Sequence, residues 1–249
     1  MLEVNHIYNE NCIETMARMA EGSIDLTVTS PPYDNLRKYN GYEFDFEAVA
    51  NGLHRVTKQG GVVVWVVGDA TINGSETGTS FRQALYFREI GFNIHDTMIY
   101  RKNSPAFPAQ AGSTRYSQVF EWMYVFSKGT PTANLLCDKR NKCAGMTSFD
   151  GKIPPVPDFS VRENIWEYVT SFNDATKHPA VFPEALAKDH ILSWSNENDI
   201  VYDPFMGSGT TAKAAHQLSR RWIGSEISSE YVALANKRLE PYLMQEQLF

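Results

Sequence analysis

The fold of this chain is most clearly indicated by residues 200–211, which read Ile200-Val201-Tyr202-Asp203-Pro204-Phe205-Met206-Gly207-Ser208-Gly209-Thr210-Thr211. The apolar start of this stretch is typical of a buried strand. Two glycines then allow a sharp turn, because neither carries a Cβ. The alanine-rich sequence that follows predicts a helix, which Thr210 or Thr211 can cap. A strand, a glycine turn and a helix N-terminus in this order bring backbone N–H groups close to a bound ligand.

A second strand follows that helix and ends on a carboxylate. It reads Arg221-Trp222-Ile223-Gly224-Ser225-Glu226, and an acidic residue at its end can hold two hydroxyls of a ribose. We interpret the whole as a nucleoside-binding βαβ unit. A phosphate-binding loop would need a lysine that is absent here, and a serine-hydrolase elbow would need a different spacing. A dinucleotide fingerprint stays open, because that pattern tolerates the alanine at position 212.

The rest of the chain alternates strand and helix signals. Strands are predicted at residues 4–8, 24–30, 61–68, 92–101, 117–128, 199–203 and 221–226. Helices are predicted at residues 10–20, 45–56, 79–90, 183–193, 210–218 and 228–242. This alternation predicts an α/β fold with a mostly parallel sheet and helices on both faces. No helix separates 92–101 from 117–128, so we expect these two strands to pair antiparallel at one edge.

A second motif closes the predicted strand at residues 24–30. It reads Ser30-Pro31-Pro32-Tyr33, and consecutive prolines end the strand's hydrogen bonding and stiffen the loop that follows. The carbonyl groups of Ser30 and Pro31 then stand beside one aromatic ring. Such a group of acceptors could hold a planar amino-heterocycle, although by itself the motif is also compatible with a strand-terminating turn.

Length and composition indicate a soluble protein with a large core. The 249 residues fit one domain, with or without a modest insertion, and the net charge of −6 argues against a nonspecific nucleic-acid coat protein. Cys12, Cys137 and Cys143 match no usual zinc spacing, so we expect reduced thiols and no metal site. No stretch resembles a signal peptide or a membrane span, which predicts a cytoplasmic protein.

Positive charge is concentrated in residues 97–152, where basic residues outnumber acidic ones eight to three. Two loops lie in or beside this region, at residues 103–114 and 129–159, and both follow the expected antiparallel strands. A long irregular insertion in a compact domain is usually functional or disordered. The region could face phosphates, or it could be a solvated surface.

Taken together, the two motifs resemble those of the S-adenosylmethionine-dependent DNA amino-methyltransferases. The order, with Thr29-Ser30-Pro31-Pro32-Tyr33 first and residues 203–210 last, is similar to the beta group of that family. Three further segments resemble the family, namely Asn11-Cys12-Ile13-Glu14, residues 55–61 and His178-Pro179-Ala180-Val181-Phe182-Pro183. The resemblance therefore covers nearly the whole chain.

This resemblance implies a Rossmann-like fold with a seven-stranded sheet, and it implies roles for individual residues. Ser30 Oγ and the Pro31 carbonyl would accept the N–H groups of an exocyclic amino group, on a base that is flipped out of the duplex and stacked on Tyr33. Glu226 would bind the ribose of S-adenosylmethionine. The other implied cofactor residues are Asn11, Cys12, His178, Asp203, Phe205, Gly207, Gly209 and Thr210. Asn11 departs from the aspartate that is common in its segment.

The first residue of the proline motif bears on the choice of base. Serine there resembles the enzymes that methylate cytosine at N4, whereas aspartate or asparagine is more frequent in those that methylate adenine at N6. The partner would be double-stranded DNA, recognised through residues 103–165. The expected DNA contacts are Arg115, Lys139, Arg140 and Lys142.

Several alternatives accompany this interpretation. An RNA or protein-amide methyltransferase would use a similar Pro-Pro-Tyr turn. A nucleotide-dependent oxidoreductase would need only the glycine loop. A separate restriction nuclease could act beside the enzyme, which would itself be a monomer or a homodimer.

Overall fold

A computed structural model of the chain describes residues 2–32, 44–105, 109, 111–147, 154–169 and 183–245. Its strands, in chain order, are β1 (His6–Tyr8), β2 (Ile24–Thr29), β3 (Thr57–Val67), β4 (Thr71–Ile72), β5 (Ser75–Glu76), β6 (Asn93–Lys102), β7 (Phe120–Ser127), β8 (Lys139–Arg140), β9 (Phe159–Ser160), β10 (Ile165–Tyr168), β11 (Ile200–Asp203) and β12 (Arg221–Ser225). Its helices are α1 (Cys12–Arg18), α2 (Phe46–Val56), α3 (Thr79–Glu89), α4 (Glu184–Trp194), α5 (Thr210–Gln217) and α6 (Ser229–Gln245).

One large sheet organises these elements, in the order β1-β12-β11-β2-β3-β7-β6-β10. Neighbouring strands are parallel except at β7, which runs antiparallel to both β3 and β6. The expected antiparallel pairing of residues 92–101 with 117–128 is thus confirmed. Two short ribbons, β4–β5 and β8–β9, lie outside this sheet.

Among the described residues the sheet has eight strands, so the expected count of seven is wrong. The additional strand is β10, which pairs parallel with β6 and forms the edge of the sheet in place of the expected antiparallel pair. Only Trp166 is buried in β10, while Ile165 is 56% exposed. A segment of this length shows no apolar run in the sequence. It is a strand because it pairs with β6.

Side chains of each central strand alternate between two cores, one on each face of the sheet. In β3, Val62, Val64 and Val66 pack with α4, α5 and α6. Val63, Trp65 and Val67 of the same strand pack with α1, α2 and α3. The continuous apolar run of β3 therefore reflects a strand that is buried on both faces.

The strand order reverses its direction of growth between β2 and β11. From β2 the chain continues through α2 to β3 on one side, and from β11 it continues through α5 to β12 on the other. Ligands of open α/β sheets bind in the crevice at such a switch point, outside the carboxyl ends of the strands. A ligand site is therefore expected at the residues that follow β2, β11 and β12.

Within the described ranges, none of the helices has the length and apolar character needed to cross a membrane.

Candidate active site

The two sequence motifs meet on the neighbouring strands β2 and β11. Tyr202 of β11 lies opposite Thr27 of β2, so the chain leaves both strands at the same edge. The hydroxyl of Thr29 donates a hydrogen bond of 2.7 Å to Oδ1 of Asp203, and both side chains are buried. This contact joins the residue before the proline turn to the residue before the glycine turn.

The proline turn begins directly after that contact. Ser30 and Pro32 are half-buried and Pro31 is buried. The pairing of β2 with β3 ends at Thr29, as expected where proline cannot donate to a ladder. Tyr33, the expected stacking residue, lies outside the described residues.

The glycine turn has the backbone conformation that its sequence predicts. Gly207 and Gly209 have φ of 51° and 81°, in the left-handed region that favours glycine. A Cβ at Gly209 would lie 3.2 Å from Cβ of Ala235 in α6, so close helix packing also requires glycine there. The N–H of Met206 donates to the Ser225 carbonyl at 2.9 Å and ties the turn to β12.

The predicted capping role of Thr210 or Thr211 is wrong. Helix α5 begins at Thr210, and Gly209 occupies the capping position without a side-chain hydrogen bond. Both threonine hydroxyls make other contacts instead. Thr211 donates to the Val28 carbonyl at 3.2 Å, which is a second link between the cofactor side and β2. The Thr210 hydroxyl accepts a hydrogen bond of 3.1 Å from Arg238 of α6.

Glu226 follows β12, beside the glycine turn. Its carboxylate accepts hydrogen bonds from the N–H groups of Gly207, at 2.8 Å, and Ser228, at 2.9 Å. Burial raises the pKa of this carboxyl, and these N–H donors oppose the shift. A carboxylate offers about four lone-pair sites. The N–H of Ile227 also acts on this carboxylate, and acceptor capacity remains for a ligand hydroxyl.

Helix α1 contributes the next residues along the same edge. The side chain of Asn11 caps α1 by accepting from the Ile13 N–H at 2.9 Å. Cys12 is buried, and burial raises the pKa of its thiol to about 12, so the thiol is neutral. Phe205 packs against the same core as Cys12, with its ring 6.3 Å from that of Trp65.

Comparison with known proteins agrees with this geometry. The model of a DNA methylase family matches residues 24–237. This chain belongs to the S-adenosylmethionine-dependent DNA amino-methyltransferases. Its order of motifs is that of the beta group.

Individual relatives of this methyltransferase cover most of the chain. The orphan methyltransferase M.BamHII of Bacillus amyloliquefaciens is 56% identical over 243 residues, which cover 89% of this chain and 91% of that protein. The PvuII DNA methyltransferase, described as cytosine-N4-specific, is 25% identical, with a TM-score of 0.72 and coverage of 93% of this chain and 85% of that one. The M1.HpyAVI complex with S-adenosylmethionine is 26% identical, with a TM-score of 0.68 and coverage of 94% and 98%.

The methyl donor of this methyltransferase is S-adenosylmethionine. The residues at the switch point fit such a ligand, because the glycine turn lets the backbone approach it and Glu226 retains acceptor sites for a ribose. Arg238 supports the turn by donating to the Ser208 carbonyl at 3.3 Å, in addition to Thr210. His178, a cofactor residue that the resemblance implies, lies outside the described residues.

Asp203 is a buried carboxyl between the proline turn and the glycine turn. Its carboxyl is buried, which raises its pKa to about 6, against hydrogen bonds from the Thr29 hydroxyl and from the Phe205 N–H at 3.0 Å. The carboxylate is therefore ionised at neutral pH, at a cost in folding free energy. An acceptor of this kind could hold the ammonium group of the methionine moiety.

The basic residues of the methyltransferase are less free than their number suggests. Within residues 97–152, four basic residues pair with carboxylates: Arg101 with Glu167, Lys102 with Glu121, Arg115 with Glu76 and Lys139 with Glu163. Lys128 donates to the carbonyls of His54 and Thr57, at 2.7 and 3.0 Å, and so serves the fold. Arg140 and Lys142 are exposed, with no ion-pair partner among the described residues. Much of the positive excess is thus neutralised locally.

The two loops with the expected DNA contacts leave the sheet at different edges. Strand β6 runs parallel to β3, because β7 is antiparallel to both. The loop between β6 and β7 therefore lies at the carboxyl ends of the parallel strands, on the same side as the proline and glycine turns, and it carries Arg115. The insertion after β7 starts at the opposite edge, where Asn134 donates to the Ser193 carbonyl at 2.8 Å. It contains the β8–β9 ribbon with Lys139 and Arg140, and it returns through β10.

Sequence reasoning missed several residues that hold the site together, namely Asn9, Thr29, Thr211 and Arg238. Asn9 Nδ2 donates to the carbonyls of Glu226 and Ile227, at 2.9 and 3.1 Å. Thr29 adjoins a recognised motif, so its position could have suggested a role. No local pattern marks Arg238, because its contact depends on how α6 packs on the glycine turn.

Proposed function

We propose that this DNA amino-methyltransferase is site-specific and methylates cytosine at the exocyclic N4. The observation that carries the proposal is the Thr29–Asp203 contact, which brings the proline turn beside the cofactor turn. Methyl transfer requires this proximity, since acceptor nitrogen and methyl carbon must meet in line. Ser30 at the head of the proline turn supports cytosine, as does the similarity to the cytosine-N4-specific PvuII enzyme.

The proline turn activates the amino group of the target base in this proposal. The nitrogen is a poor nucleophile because its lone pair is delocalised into the ring. Ser30 Oγ and the Pro31 carbonyl accept its two N–H groups and favour a pyramidal nitrogen with a localised lone pair. Tyr33 stacks on the flipped base and holds it in the plane that this geometry needs.

S-adenosylmethionine supplies an electrophilic methyl group on a positively charged sulfur. The proposed contacts place Glu226 on its ribose, Asp203 on its ammonium group, and Phe205, Gly207, Gly209 and Thr210 around it. Asn11, Cys12 and His178 complete the pocket. As the new N–C bond forms, the bond between the methyl carbon and sulfur would break and S-adenosylhomocysteine would leave. The nitrogen would become an acidic ammonium that readily loses its proton to water. No strong base is therefore needed before attack.

We propose that residues 1–249 form one catalytic domain and that residues 103–165 recognise the target sequence in double-stranded DNA. The reaction would take place in the cytoplasm, where duplex DNA and the methyl donor meet. Arg115, Lys139, Arg140 and Lys142 are the proposed contacts to phosphates or bases.

The base specificity is tested on DNA that carries no methyl groups. The purified protein is incubated with S-adenosylmethionine and a long PCR-made DNA, which is then digested to nucleosides and analysed by mass spectrometry. N4-methylcytosine is the expected product. N6-methyladenine without N4-methylcytosine would refute the cytosine assignment and leave an adenine-N6 enzyme of the same family.

The exposed cations Arg140 and Lys142 provide a test of the recognition region. Replacing both with alanine should weaken DNA binding and lower the slope of log K against log salt by about 0.9 for each lost phosphate contact. Lys237→Ala, at an exposed position of α6, is the matched control and should leave the slope unchanged. If the double variant keeps the wild-type slope, the β8–β9 ribbon does not contact phosphates.

A further inference from the structure

A β-hairpin stands beside the proposed catalytic turn and has no role in the site described above. Strands β4 and β5 follow β3 after Gly68-Asp69-Ala70. β3 pairs directly with β2, where Thr29 lies opposite Trp65. The hairpin therefore begins at the carboxyl end of β3, beside the strand that leads into Ser30. Neighbouring strands of a sheet lie about 5 Å apart.

The base of this hairpin is held firmly. The N–H of Thr77 donates to the Ala70 carbonyl at 2.9 Å and closes the hairpin. Asp69 accepts from the N–H of Ser80 at 2.9 Å and also from the Ser80 hydroxyl, which ties the base to the start of α3. Such anchoring fixes the direction in which the hairpin projects.

The tip of the hairpin is open. Asn73 and Gly74 both have positive φ, of 51° and 77°, as in the tight turns that suit two-stranded ribbons. A Cβ at Gly74 would meet no atom within 4 Å. Ile72, next to the turn, is 53% exposed.

A segment of the β6–β7 loop is attached to this tip. The guanidinium of Arg115 donates to the Gly74 carbonyl and lies 3.8 Å from the Glu76 carboxylate. Ala109 and Ser117 close this part of the loop through a hydrogen bond of 2.7 Å. Tyr116, the residue after Arg115, is fully exposed, with a relative accessibility of 102%.

We propose that the β4–β5 hairpin and the Arg115–Tyr116 segment form a second DNA-binding element, in which the Tyr116 ring packs against bases next to the flipped target. This inference rests on the proposed function. A duplex that delivers a base to Ser30 must approach this edge of the sheet and so meets the element beside it. Arg115 offers its remaining N–H groups to a phosphate, while Ile72 and Tyr116 offer apolar surface.

Base flipping explains why an exposed aromatic ring would be useful at this place. An extrahelical base leaves its neighbours unstacked, which costs free energy. Apolar side chains can enter a duplex between base steps, and aromatic rings stack on bases of any sequence. Tyr116 would thus stabilise the opened duplex without reading its sequence.

The test compares Tyr116→Ala with Tyr116→Phe, and uses Leu85→Ala as a control at an exposed apolar position on α3. Affinity for a PCR-made duplex and methyl transfer to it are measured together with S-adenosylmethionine binding, thermal stability and oligomeric state. Tyr116→Ala should weaken DNA binding about tenfold, as expected for the loss of one stacking contact. Its affinity for S-adenosylmethionine and its stability should not change.

Tyr116→Phe and Leu85→Ala should behave like the wild type, and Ile72→Ala should weaken DNA binding by a smaller factor. Wild-type DNA affinity in Tyr116→Ala would overturn the inference, as would an altered oligomeric state with unaltered DNA affinity, because the surface would then bind a second copy. A wild-type product other than N4-methylcytosine would refute the proposed function and leave this comparison intact.

Discussion

Replacing Asp203 with asparagine should reduce activity and, at the same time, increase stability at neutral pH. The asparagine oxygen can still accept from Thr29 and from the Phe205 N–H, while its amide can donate to the hydroxyl of Thr211, which lies beside the Asp203 carboxylate. The buried negative charge disappears. Loss of the proposed contact between this charge and the ligand ammonium should weaken S-adenosylmethionine binding about 10- to 100-fold, as expected for a charge-assisted hydrogen bond.

The gain in stability follows from the raised pKa of Asp203. Burial raises this pKa to about 6 from its ordinary 3.8. The contribution of the group to stability is therefore complete below about pH 4 and is lost as the pH rises through 6. At pH 8 the charged form costs up to about 3 kcal/mol of folding free energy, which Asp203→Asn avoids.

Urea denaturation at pH 8 and pH 5 measures this effect. The Asp203→Asn variant should have a larger free energy of unfolding than the wild type at pH 8, and this difference in free energy should be smaller at pH 5. Asp25→Asn is a suitable control, because Asp25 lies at the other end of β2, where it pairs with Lys58 and accepts from the Ile200 N–H at 2.7 Å. That variant should bind S-adenosylmethionine normally and gain no stability. A less stable Asp203→Asn protein at pH 8 would mean that the carboxylate serves the fold instead of the ligand.

Replacing Thr29 with valine should impair methyl transfer and stability together. Valine keeps the shape of threonine but removes the hydroxyl that donates to the buried Asp203 carboxylate. An under-satisfied buried acceptor costs about 1–3 kcal/mol. The turn that begins at Ser30 would also lose its connection to the cofactor side, and a displacement of about 1 Å in such a site can reduce the rate about 100-fold.

The conservative variant Thr29→Ser shows whether the hydrogen bond to Asp203 or the packing of the side chain causes the effect. Serine retains the donor, so it should recover most of the transfer rate that valine loses. In the double variant Thr29→Val/Asp203→Asn, the valine should destabilise the protein less than it does in the wild type, because the charge that needs the donor is absent. Rates are measured by transfer of a labelled methyl group to PCR-made DNA. Equal rates for the valine and serine variants would exclude a positioning role for the hydroxyl.

Much of the fold could be predicted from the sequence, because its central elements have strong local signals. The valine run of β3, the glycine turn at Gly207 and the proline turn at Pro31 each restrict the backbone by their own chemistry. Family resemblance then indicated the cofactor and the amino-group chemistry. β10 was missed because a four-residue strand with one buried side chain has no periodic pattern of its own.

Contacts between residues far apart in the sequence could not be predicted, because they depend on how strands and helices pack together. Thr29 and Asp203 are 174 residues apart, and Arg238 reaches Thr210 only because α6 crosses the glycine turn. The charge of the basic region also depends on such contacts. Lys139 is paired with Glu163, so a count of lysines and arginines overestimates the free positive charge.

The amino-acid sequence by itself determined the class of fold, the two turns and the residues that end each strand, since these depend on local backbone chemistry. Tertiary structure alone decided that β2 and β11 are neighbours, that the Thr29 hydroxyl meets Asp203, and that the hairpin stands beside Ser30. Strand order and register set those distances, and they result from packing on both faces of the sheet. The proposed acceptor and donor sites therefore become one site only when the sheet assembles.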